Sequence, residues 1–455
     1  MNHRPMGVPV FRFLGGSSVV ERRALVASAL GWMLDGMDVT LYSMVLPRLM
    51  REFQLSTSQA GFLASVTLVA SAVGGILFGV LADRFGRRFA LMTSIAVYSV
   101  FTAACGLSHS VVELAVYRAL LGLGMGGEWA TGAALVAETW KAEHRGKALG
   151  LMQSGFAVGY ALAAVIAALV LPRWGWRNVF FVGLLPAFLT LWISRRVEES
   201  PMWLLKRAGV WGSGFGIRRF GFRGWGFGVR KERAPDSSCE SLSPQTEART
   251  PNPKTRHPAS HGGYAKAIVV ALLMNSAALF GWWGLFTWIP SYLALPAAQG
   301  GLGMTITASS TWIVVMQAGM WLGYVSFGFA SDRLGRKKTY IGYLLLATAM
   351  VPLYAHAHDA WMLLVLGPLL AFFGTGHFTG FGIITAEIFP TSIRASAMGL
   401  TYNFGRALSA AAPWAIGAVA LRSGLGPAFW ISGLAFLLAA ALALALPETR
   451  GRELQ

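Results

Sequence analysis

Residues 78–88 read FGVLADRFGRR, and residues 327–337 repeat the pattern as FGFASDRLGRK, 249 positions later. Other residues recur at the same offset: Glu138 and Glu387, Arg145 and Arg394, Phe180 and Phe429, and Glu199 and Glu448. A constant offset indicates an internal repeat, and paired membrane repeats place a binding site where the two copies meet. The chain is therefore predicted to contain two copies of one structural unit, an arrangement that points to a transporter.

The composition places both copies in a lipid bilayer. Of the 455 residues, 55% are hydrophobic and only 13% are charged, so one soluble core cannot bury the apolar surface. Apolar windows of about 20 residues, the length that crosses a bilayer, recur along the whole chain. They lie roughly at 24–46, 60–82, 89–108, 111–136, 147–171, 176–195, 265–293, 306–330, 340–357, 360–386, 396–420 and 425–446. The sequence predicts an all-α integral membrane protein with 12 transmembrane helices in two six-helix repeats.

The windows divide the chain into five segments. We expect a cytoplasmic segment 1–23, a six-helix bundle 24–200, a cytoplasmic linker 201–264, a second six-helix bundle 265–447 and a cytoplasmic tail 448–455. The linker is rich in Gly, Arg and aromatic residues and then in Ser and Pro, which predicts disorder. An alternative is that its basic stretch rests on the anionic cytoplasmic leaflet.

The basic residues predict the orientation. Placing both termini and the loops that carry the repeated motif on one side collects 31 of the 38 Lys and Arg residues there. By the positive-inside rule this side is cytoplasmic, and we expect a multi-pass protein of the cell inner membrane. The net charge of +18 is then topological, and no nucleic-acid partner is expected. Cys105 and Cys239 form no metal-ligand spacing, and neither a metal nor a cofactor is expected.

Asp35, Asp38 and Arg118 are charges placed within the membrane, where they are costly and face the bundle interior or a wet cavity. Asp35 and Asp38 share one helix face, and Arg118 lies at a depth that matches Asp38. An aspartate that faces an arginine can bind and release a proton as the two separate and pair. The three residues are predicted to couple transport to protons; the alternative is a permanent ion pair that fixes helix packing.

Arg406 lies about 15 Å into the eleventh span, near the membrane midplane, and no acidic residue of its own half lies at that depth. An unpaired buried guanidinium is costly, and arginine can hold a carboxylate in a bidentate pair. We therefore predict that Arg406 binds the carboxylate of a substrate. The alternative is that it pairs with Asp35 across the boundary between the repeats.

Four further residues are predicted to contact the substrate. Glu128 and His377 are repeat equivalents in glycine-rich stretches that allow helices to approach closely. His377 can titrate near neutral pH, although a membrane histidine is often only hydrogen-bonded to a neighbour. Trp283, in the stretch GWWGLFTWIP, and Asn403 complete the set, and an interfacial aromatic belt is the alternative role for tryptophan.

The repeated loop motifs lie at helix ends, outside any substrate site. We expect them to form a gate on the cytoplasmic face, in which ion pairs and helix-end contacts break when the face opens. The predicted gating residues are Asp83, Arg84, Arg87, Glu138 and Arg145 in the first copy and Asp332, Arg333, Arg336, Glu387 and Arg394 in the second.

These motifs together resemble the major facilitator superfamily. The resemblance rests on DRFGRR, DRLGRK, the Glu138/Arg145 and Glu387/Arg394 pairs, EESP at 198–201 and PETRG at 447–451. Within it, LDGMD at 34–38 and GLGMGGEW at 122–129 resemble the branch of aromatic-acid and sialic-acid proton symporters. The resemblance implies secondary active transport by alternating access, with Asp35 or Asp38 and Arg118 in proton coupling and Arg406 near the substrate.

The leading functional prediction is therefore proton-coupled symport of a small organic carboxylate, such as an aromatic acid or a sialic acid. The alternatives are a sugar or drug carrier, or a membrane sensor that transports nothing. The sequence shows no nucleophile, metal site or phosphate-binding loop, so we do not expect an enzyme. The expected partners are an organic anion, protons and the lipid bilayer, and the expected state is a monomer.

Overall fold

The computed structural model describes residues 14–140, 142–207, 261–357, 359–389 and 394–450, and these ranges contain helices but no β-strand. The helices of the first half are α1 (Val19–Glu52), α2 (Thr57–Phe85), α3 (Arg87–Cys105), α4 (Val111–Thr139), α5 (Ala142–Val182), α6 (Pro186–Arg196) and α7 (Pro201–Arg207). Those of the second half are α8 (His261–Ala294), α9 (Ile306–Leu334), α10 (Arg336–Ala355), α11 (Ala360–Ile388), α12 (Arg394–Ser409), α13 (Ala411–Ser423), α14 (Leu425–Ala428) and α15 (Trp430–Ala443).

Six membrane crossings can be followed in each half. In the described part of the chain, 9 stretches are long and apolar enough to span a membrane. One of them, Lys147–Arg196, is 50 residues long and changes direction at Gly175, so it supplies two crossings. The helices α4 and α10 complete the set. Large apolar side chains on the outside of the bundle, such as Ile76, Trp361 and Leu434, are exposed in the way that lipid-facing residues are.

Glycines at equivalent positions turn the chain identically in both halves. Gly86 and Gly335 have φ angles of 109° and 103°, and Gly175 and Gly424 have φ angles of 77° and 80°. Residues with a side chain rarely adopt such angles, because the Cβ atom clashes with the backbone. At Gly86 and Gly335 the space is also filled by the carboxylates of Glu199 and Glu448. The repeat seen in the sequence is therefore a structural repeat.

The predicted linker 201–264 is partly ordered. The helix α7 begins at its first residue, where Ser200 Oγ accepts a hydrogen bond from the Trp203 amide at 3.3 Å and Pro201 starts the first turn. Trp203 is buried and donates from Nε1 to the Asp83 carbonyl at 3.0 Å, which anchors α7 to α2. The disorder prediction is thus wrong for 201–207. Residues 261–264, the last four of the predicted linker, belong to α8, so the disorder prediction is wrong for them too, and residues 208–260 lie outside the described residues.

The two halves meet along a seam that we define by the contacts of α1, α2, α4 and α5 with α8, α9, α12 and α13. On the face opposite the repeated loops, Gly61 packs on the Pro413 carbonyl and Gly417 on the Thr57 carbonyl, where any side chain would clash. The Thr57 hydroxyl also donates to the Gly417 carbonyl at 2.7 Å. This backbone-to-backbone packing closes the seam between α2 and α13 on that face.

A second seam contact lies near the centre. The Tyr160 hydroxyl of α5 donates to the Phe286 carbonyl of α8 at 2.7 Å. Within a helix that carbonyl would accept from the residue four positions later, but this residue is Pro290, which has no N–H. A side chain from the first half thus satisfies a carbonyl of the second.

Candidate functional site

A small central cavity lies on the seam. It is lined from the first half by residues that include Thr40, Tyr42, Ser43, Arg118 and Tyr160, and from the second by Trp282, Trp283, Phe286 and Thr287. Its volume is about 10 Å³, which is about the space for one water molecule. The structure therefore shows the halves closed around the centre. Of the predicted site residues, Arg118 and Trp283 line this cavity.

Asp35 and Asp38 lie deeper along α1, toward the face of the repeated loops. Both are almost completely buried, with 1% and 2% of their surface exposed. Asp38 Oδ2 accepts a hydrogen bond from Thr102 of α3 at 3.0 Å, whereas Oδ1 and both oxygens of Asp35 have no hydrogen-bond partner among the described residues. The helix α1 is continuous through Asp35 and Asp38, so the two aspartates occupy neighbouring positions on one helix face, as predicted.

Arg118 does not pair with either aspartate. Its Nε donates to the Leu63 carbonyl at 3.1 Å, and its guanidinium lies 3.6 Å from the centre of the Tyr42 ring. The expected ion pair between Arg118 and Asp38 is therefore absent from this conformation. The depths of the two residues were inferred from helix rise alone, which leaves undetermined the direction in which each helix turns its side chains.

Arg406 and Glu128 approach each other across the seam. Both are buried, and Arg406 interacts electrostatically with Glu128 and with Asp35, although none of the hydrogen-bond contacts found in the described ranges links them. A methyl group placed on Gly31 would lie 2.5 Å from Glu128 Oε1, so Glu128 packs on α1 one turn before Asp35. The alternative, that Arg406 pairs with Asp35 across the seam, stays a prediction, because no ion pair or hydrogen bond joins the two side chains within the described ranges. Nε and Nη1 of Arg406 have no acceptor in the described part of the chain.

The other predicted substrate residues have different surroundings. The ring of Trp283 lies 6.0 Å from the Arg406 guanidinium, and the Asn403 amide packs against Gly75 of α2, so both lie at the seam. His377 is instead enclosed by rings of its own half: it stacks on Phe378 at 4.5 Å and lies edge-on to Tyr340 at 6.0 Å. This environment resembles a packed core more than a ligand site.

The structure shows residues at the seam that were not predicted from the sequence. Trp129 of α4 stacks on Tyr402 of α12 across the seam, with ring centroids 3.9 Å apart. Trp129 Nε1 also donates to Gln153 of α5 at 3.0 Å. Trp129 follows Glu128 directly in the quoted glycine-rich stretch, which is the only signal that could have drawn attention to it. Tyr402 and Gln153 carried no such signal.

The repeated loops form two equivalent ion clusters. In the first, Arg87 contacts Asp83 at 2.6 Å and Glu138 at 3.2 Å, and in the second, Arg336 contacts Asp332 at 2.5 Å and Glu387 at 3.3 Å. Hydroxyl groups complete both, because Ser200 and Thr449 each donate to the glutamate of their half at 2.5 Å.

Every one of these contacts stays within one half. The predicted gating residues Arg84 and Arg333 lie next to the clusters, where Arg84 is 5.5 Å from the Phe85 ring and the Arg333 carbonyl accepts from Arg450 at 2.9 Å. The side chains of Arg145 and Arg394 lie outside the described residues. The clusters therefore stabilise the helix ends of each half. None of the contacts described for them joins one half to the other.

Glu448 anchors the end of the chain to the second cluster. Its carboxylate accepts hydrogen bonds from the backbone amides of Arg336 at 2.8 Å, Lys337 at 3.2 Å, Thr449 at 3.0 Å and Arg450 at 3.1 Å. Partial burial alone would raise the pKa of Glu448, but these amides outweigh it and hold the pKa below its usual value. Glu199 accepts equivalent bonds from Arg87 and Arg88 in the first half.

A comparison with protein families identifies this architecture. The model of the Major Facilitator Superfamily matches residues 28–297 and 292–454, nearly the whole chain. The chain belongs to the Major Facilitator Superfamily. It is therefore a multi-pass membrane transporter rather than an enzyme, and the expected fold of 12 helices in two repeats is confirmed.

Individual relatives refine this assignment. The chain is 33% identical over 453 residues to a probable 4-methylmuconolactone transporter of Cupriavidus pinatubonensis, covering 97% of this chain and 94% of the relative. It is 29% identical to the sialic acid transporter NanX of Escherichia coli, covering 91% of each chain. The expected resemblance to the branch of aromatic-acid and sialic-acid carriers is confirmed. The crystal structure of a D-xylose-proton symporter superposes with a TM-score of 0.70 at 20% identity, covering 96% of this chain and 100% of that one, which shows a shared fold.

Proposed function

We propose that this transporter carries a small organic carboxylate together with protons, by alternating access. The observation that carries the proposal is the pair of buried aspartates in α1, which form no ion pair within the described residues. A buried charge without a partner is costly and is neutralised by a proton or by an approaching cation. A change in the surroundings of Asp35 and Asp38 can therefore drive proton uptake and release.

The balance of charge in the core supports the same mechanism. Asp35, Asp38 and Glu128 would carry three negative charges if all were ionised, against the positive charges of Arg118 and Arg406. One of the three carboxyl groups is left without a balancing cation, and a bound proton relieves this excess. Since Arg118 lies on Tyr42, its proposed part in coupling requires that it move toward Asp38 during the cycle.

Arg406 is the proposed substrate ligand. It is buried at the seam beside Trp283, and two of its nitrogen atoms have no acceptor among the described residues. A guanidinium in that position can hold a carboxylate by two parallel hydrogen bonds. Relatives whose names include an organic acid support an anionic substrate. Asn403 and Glu128 are proposed to complete the binding site.

The size of the central cavity supports alternating access. A space of about 10 Å³ cannot hold an organic acid, so the halves must separate to admit one. We propose that the ion clusters with Asp83, Arg87, Asp332 and Arg336 act as hinges and gates on the cytoplasmic side. The proposed moving units are the two bundles, residues 24–200 and residues 265–447.

The proposed orientation puts both termini and the repeated loops in the cytoplasm of a cell whose inner membrane holds the protein. This orientation follows from the positive-inside rule and gives the opposite face access to external substrate. We propose that a single chain is the transporting unit, because the seam between the two halves already provides a complete site.

The test is uptake into proteoliposomes of radiolabelled benzoate, cis,cis-muconate, sialic acid and xylose, with and without an inward proton gradient. We expect at least one acid to accumulate above its external concentration, and a protonophore to abolish the accumulation. Accumulation of xylose but of no acid would contradict the carboxylate assignment. Acid uptake that is indifferent to the protonophore would contradict proton coupling.

A further inference from the structure

A second pocket opens on the face opposite the repeated loops. It has a volume of about 300 Å³ and lies on the seam, between α1 of the first half and α8 and α9 of the second. Arg48 and Arg51 line it from α1, and Thr305, Ser309 and Ser310 line it from the start of α9. The polar part of the lining is therefore two cations and three hydroxyl groups, and the other 7 lining residues are apolar, a combination that suits an organic anion.

The two arginines are free to bind a ligand. They are three residues apart on α1, which places them on one side of the helix. Neither forms an ion pair within the described ranges, whereas Arg177 on the same face is paired with Glu52 at 2.8 Å. Basic residues are disfavoured on the face opposite the basic loops, and only 5 of the 38 fall there in the sequence. Both arginines are exposed, so their guanidinium groups are open to an anion that enters the pocket.

The start of α9 adds to the positive potential of the pocket. Thr305 caps this 29-residue helix and accepts a hydrogen bond from the Ala308 amide at 3.2 Å. The N-terminus of a helix carries a partial positive charge and attracts anions. Ser309 and Ser310 are 5% and 3% exposed, and the Ser309 hydroxyl donates to the Ile306 carbonyl at 3.0 Å.

The pocket adjoins the central cavity. On α1, Ser43 lines the central cavity and Met44, the next residue, lines the outer pocket. On α8, Thr287 lines the central cavity and Pro290, about one turn later, lines the outer pocket. Arg48 and Arg51 lie farther along α1, so a ligand held there is about one and a half to two helical turns from the central cavity.

We propose that this outer pocket is a capture site for an organic carboxylate, at which Arg48 and Arg51 hold the anion before the seam opens toward the centre. The inference rests on the proposed function, because it takes the face opposite the repeated loops as the external face, from which the substrate enters. Electrostatic capture raises the local concentration of an anion and its rate of association. The site would thus favour anions over neutral compounds before the central residues are reached.

The experiment measures the electrostatic potential at the pocket and the binding of a ligand in it. Cys105 and Cys239 are replaced by alanine in the full chain, and a single cysteine is introduced by Ile306→Cys, at a residue that lines the pocket. Val112→Cys, 73% exposed at the start of α4 on the same face, is the control position. Labelling rates are then measured with an anionic and a cationic methanethiosulfonate reagent, with and without Arg48→Gln and Arg51→Gln together.

We expect the ratio of anionic to cationic labelling at Ile306→Cys to fall about tenfold in the double Gln variant, and the ratio at Val112→Cys to stay unchanged. Benzoate should slow labelling at Ile306→Cys, benzamide should not, and the double variant should lose this protection. An unchanged ratio, or equal protection by benzoate and benzamide, would overturn the capture site. Labelling requires no proton gradient, so it tests the capture site separately from proton coupling. If benzoate protects Ile306→Cys but a proton gradient drives no uptake of an acid, the result counts against the proposed function and not against the capture site.

Discussion

Trp129 of α4 and Tyr402 of α12 form a nearly parallel stack across the seam, with an angle of 18° between their planes. The pair lies on the loop side of the buried charges, since both residues are closer than Glu128 or Arg406 to the helix ends that carry the repeated motifs. It therefore joins the halves between the core and the face of the repeated loops. Opening of that face requires the two rings to part.

Replacing Trp129 by alanine should favour the state that is open on the face of the repeated loops. A stacked aromatic pair is worth about 0.5–1.5 kcal/mol beyond its buried area, so the population should shift by about two- to tenfold. Spin labels at the exposed equivalent residues Phe85 and Leu334, one in each half, report the distance by electron resonance. Trp129→Phe keeps a ring but loses the bond to Gln153, and should shift the distribution less. Identical distributions in wild type and alanine variant would show that the stack does not hold the face closed.

Asp35→Asn and Asp38→Asn should each abolish accumulation driven by a proton gradient while leaving exchange of labelled for unlabelled substrate measurable. The amide keeps the size of the side chain but cannot gain or lose a proton in this range. Thr102→Val, which removes only the hydroxyl bonded to Asp38, is the matched control and should retain accumulation. Full accumulation in both asparagine variants would exclude these residues from coupling.

Arg406→Gln should weaken binding of a carboxylic acid by about tenfold or more, because a hydrogen bond to a charged group is worth about 1.5–3 kcal/mol. Arg406→Lys retains the charge without the planar fork and should have an intermediate effect. The amide of the same acid provides the comparison in calorimetric binding to the purified protein. Equal affinity of wild type for acid and amide would contradict a carboxylate site at Arg406.

We expect Glu448 to make the thermal stability of the second half decrease at acidic pH. Its pKa is lowered in the folded protein, so ionised Glu448 stabilises the fold above its usual pKa of about 4.5, and this contribution is lost as the pH falls through the lowered value. Glu448→Gln should lower the melting temperature at pH 7 and leave it nearly unchanged near pH 3. The exposed Glu198, replaced in the same way, should change neither. A melting temperature of Glu448→Gln that matches wild type at pH 7 would contradict the anchoring role.

The sequence predicted the architecture because its signals are local or repeated. Apolar length marks the crossings, and the constant offset identifies equivalent positions such as Arg87 and Arg336, whose surroundings in the two halves match closely. Asp35, Asp38 and Arg406 are all buried, which agrees with the expectation that charges within a membrane face the bundle interior, while their depth in the bilayer stays a prediction.

Contacts between helices that are distant in the chain could not be predicted in this way. Depth does not fix the direction of a side chain around the helix, so Arg118 was placed opposite Asp38 although it stacks on Tyr42. His377 was treated like its repeat equivalent Glu128, although Tyr340 and Phe378 enclose it. Seam contacts such as Trp129 with Tyr402 depend on the packing angle between the halves, which single-chain periodicity does not determine.

The bond from Tyr160 to the Phe286 carbonyl ties the motion of the halves to hydration. While the halves are closed, Tyr160 takes the place of the donor that Pro290 lacks. When α5 withdraws, that carbonyl loses its partner, and leaving it dry in an apolar interior costs about 1–3 kcal/mol. A water molecule that follows the withdrawing helix removes the cost. The transporter should therefore become wet at mid-membrane as it opens, and drying of that carbonyl should accompany each closure around the substrate.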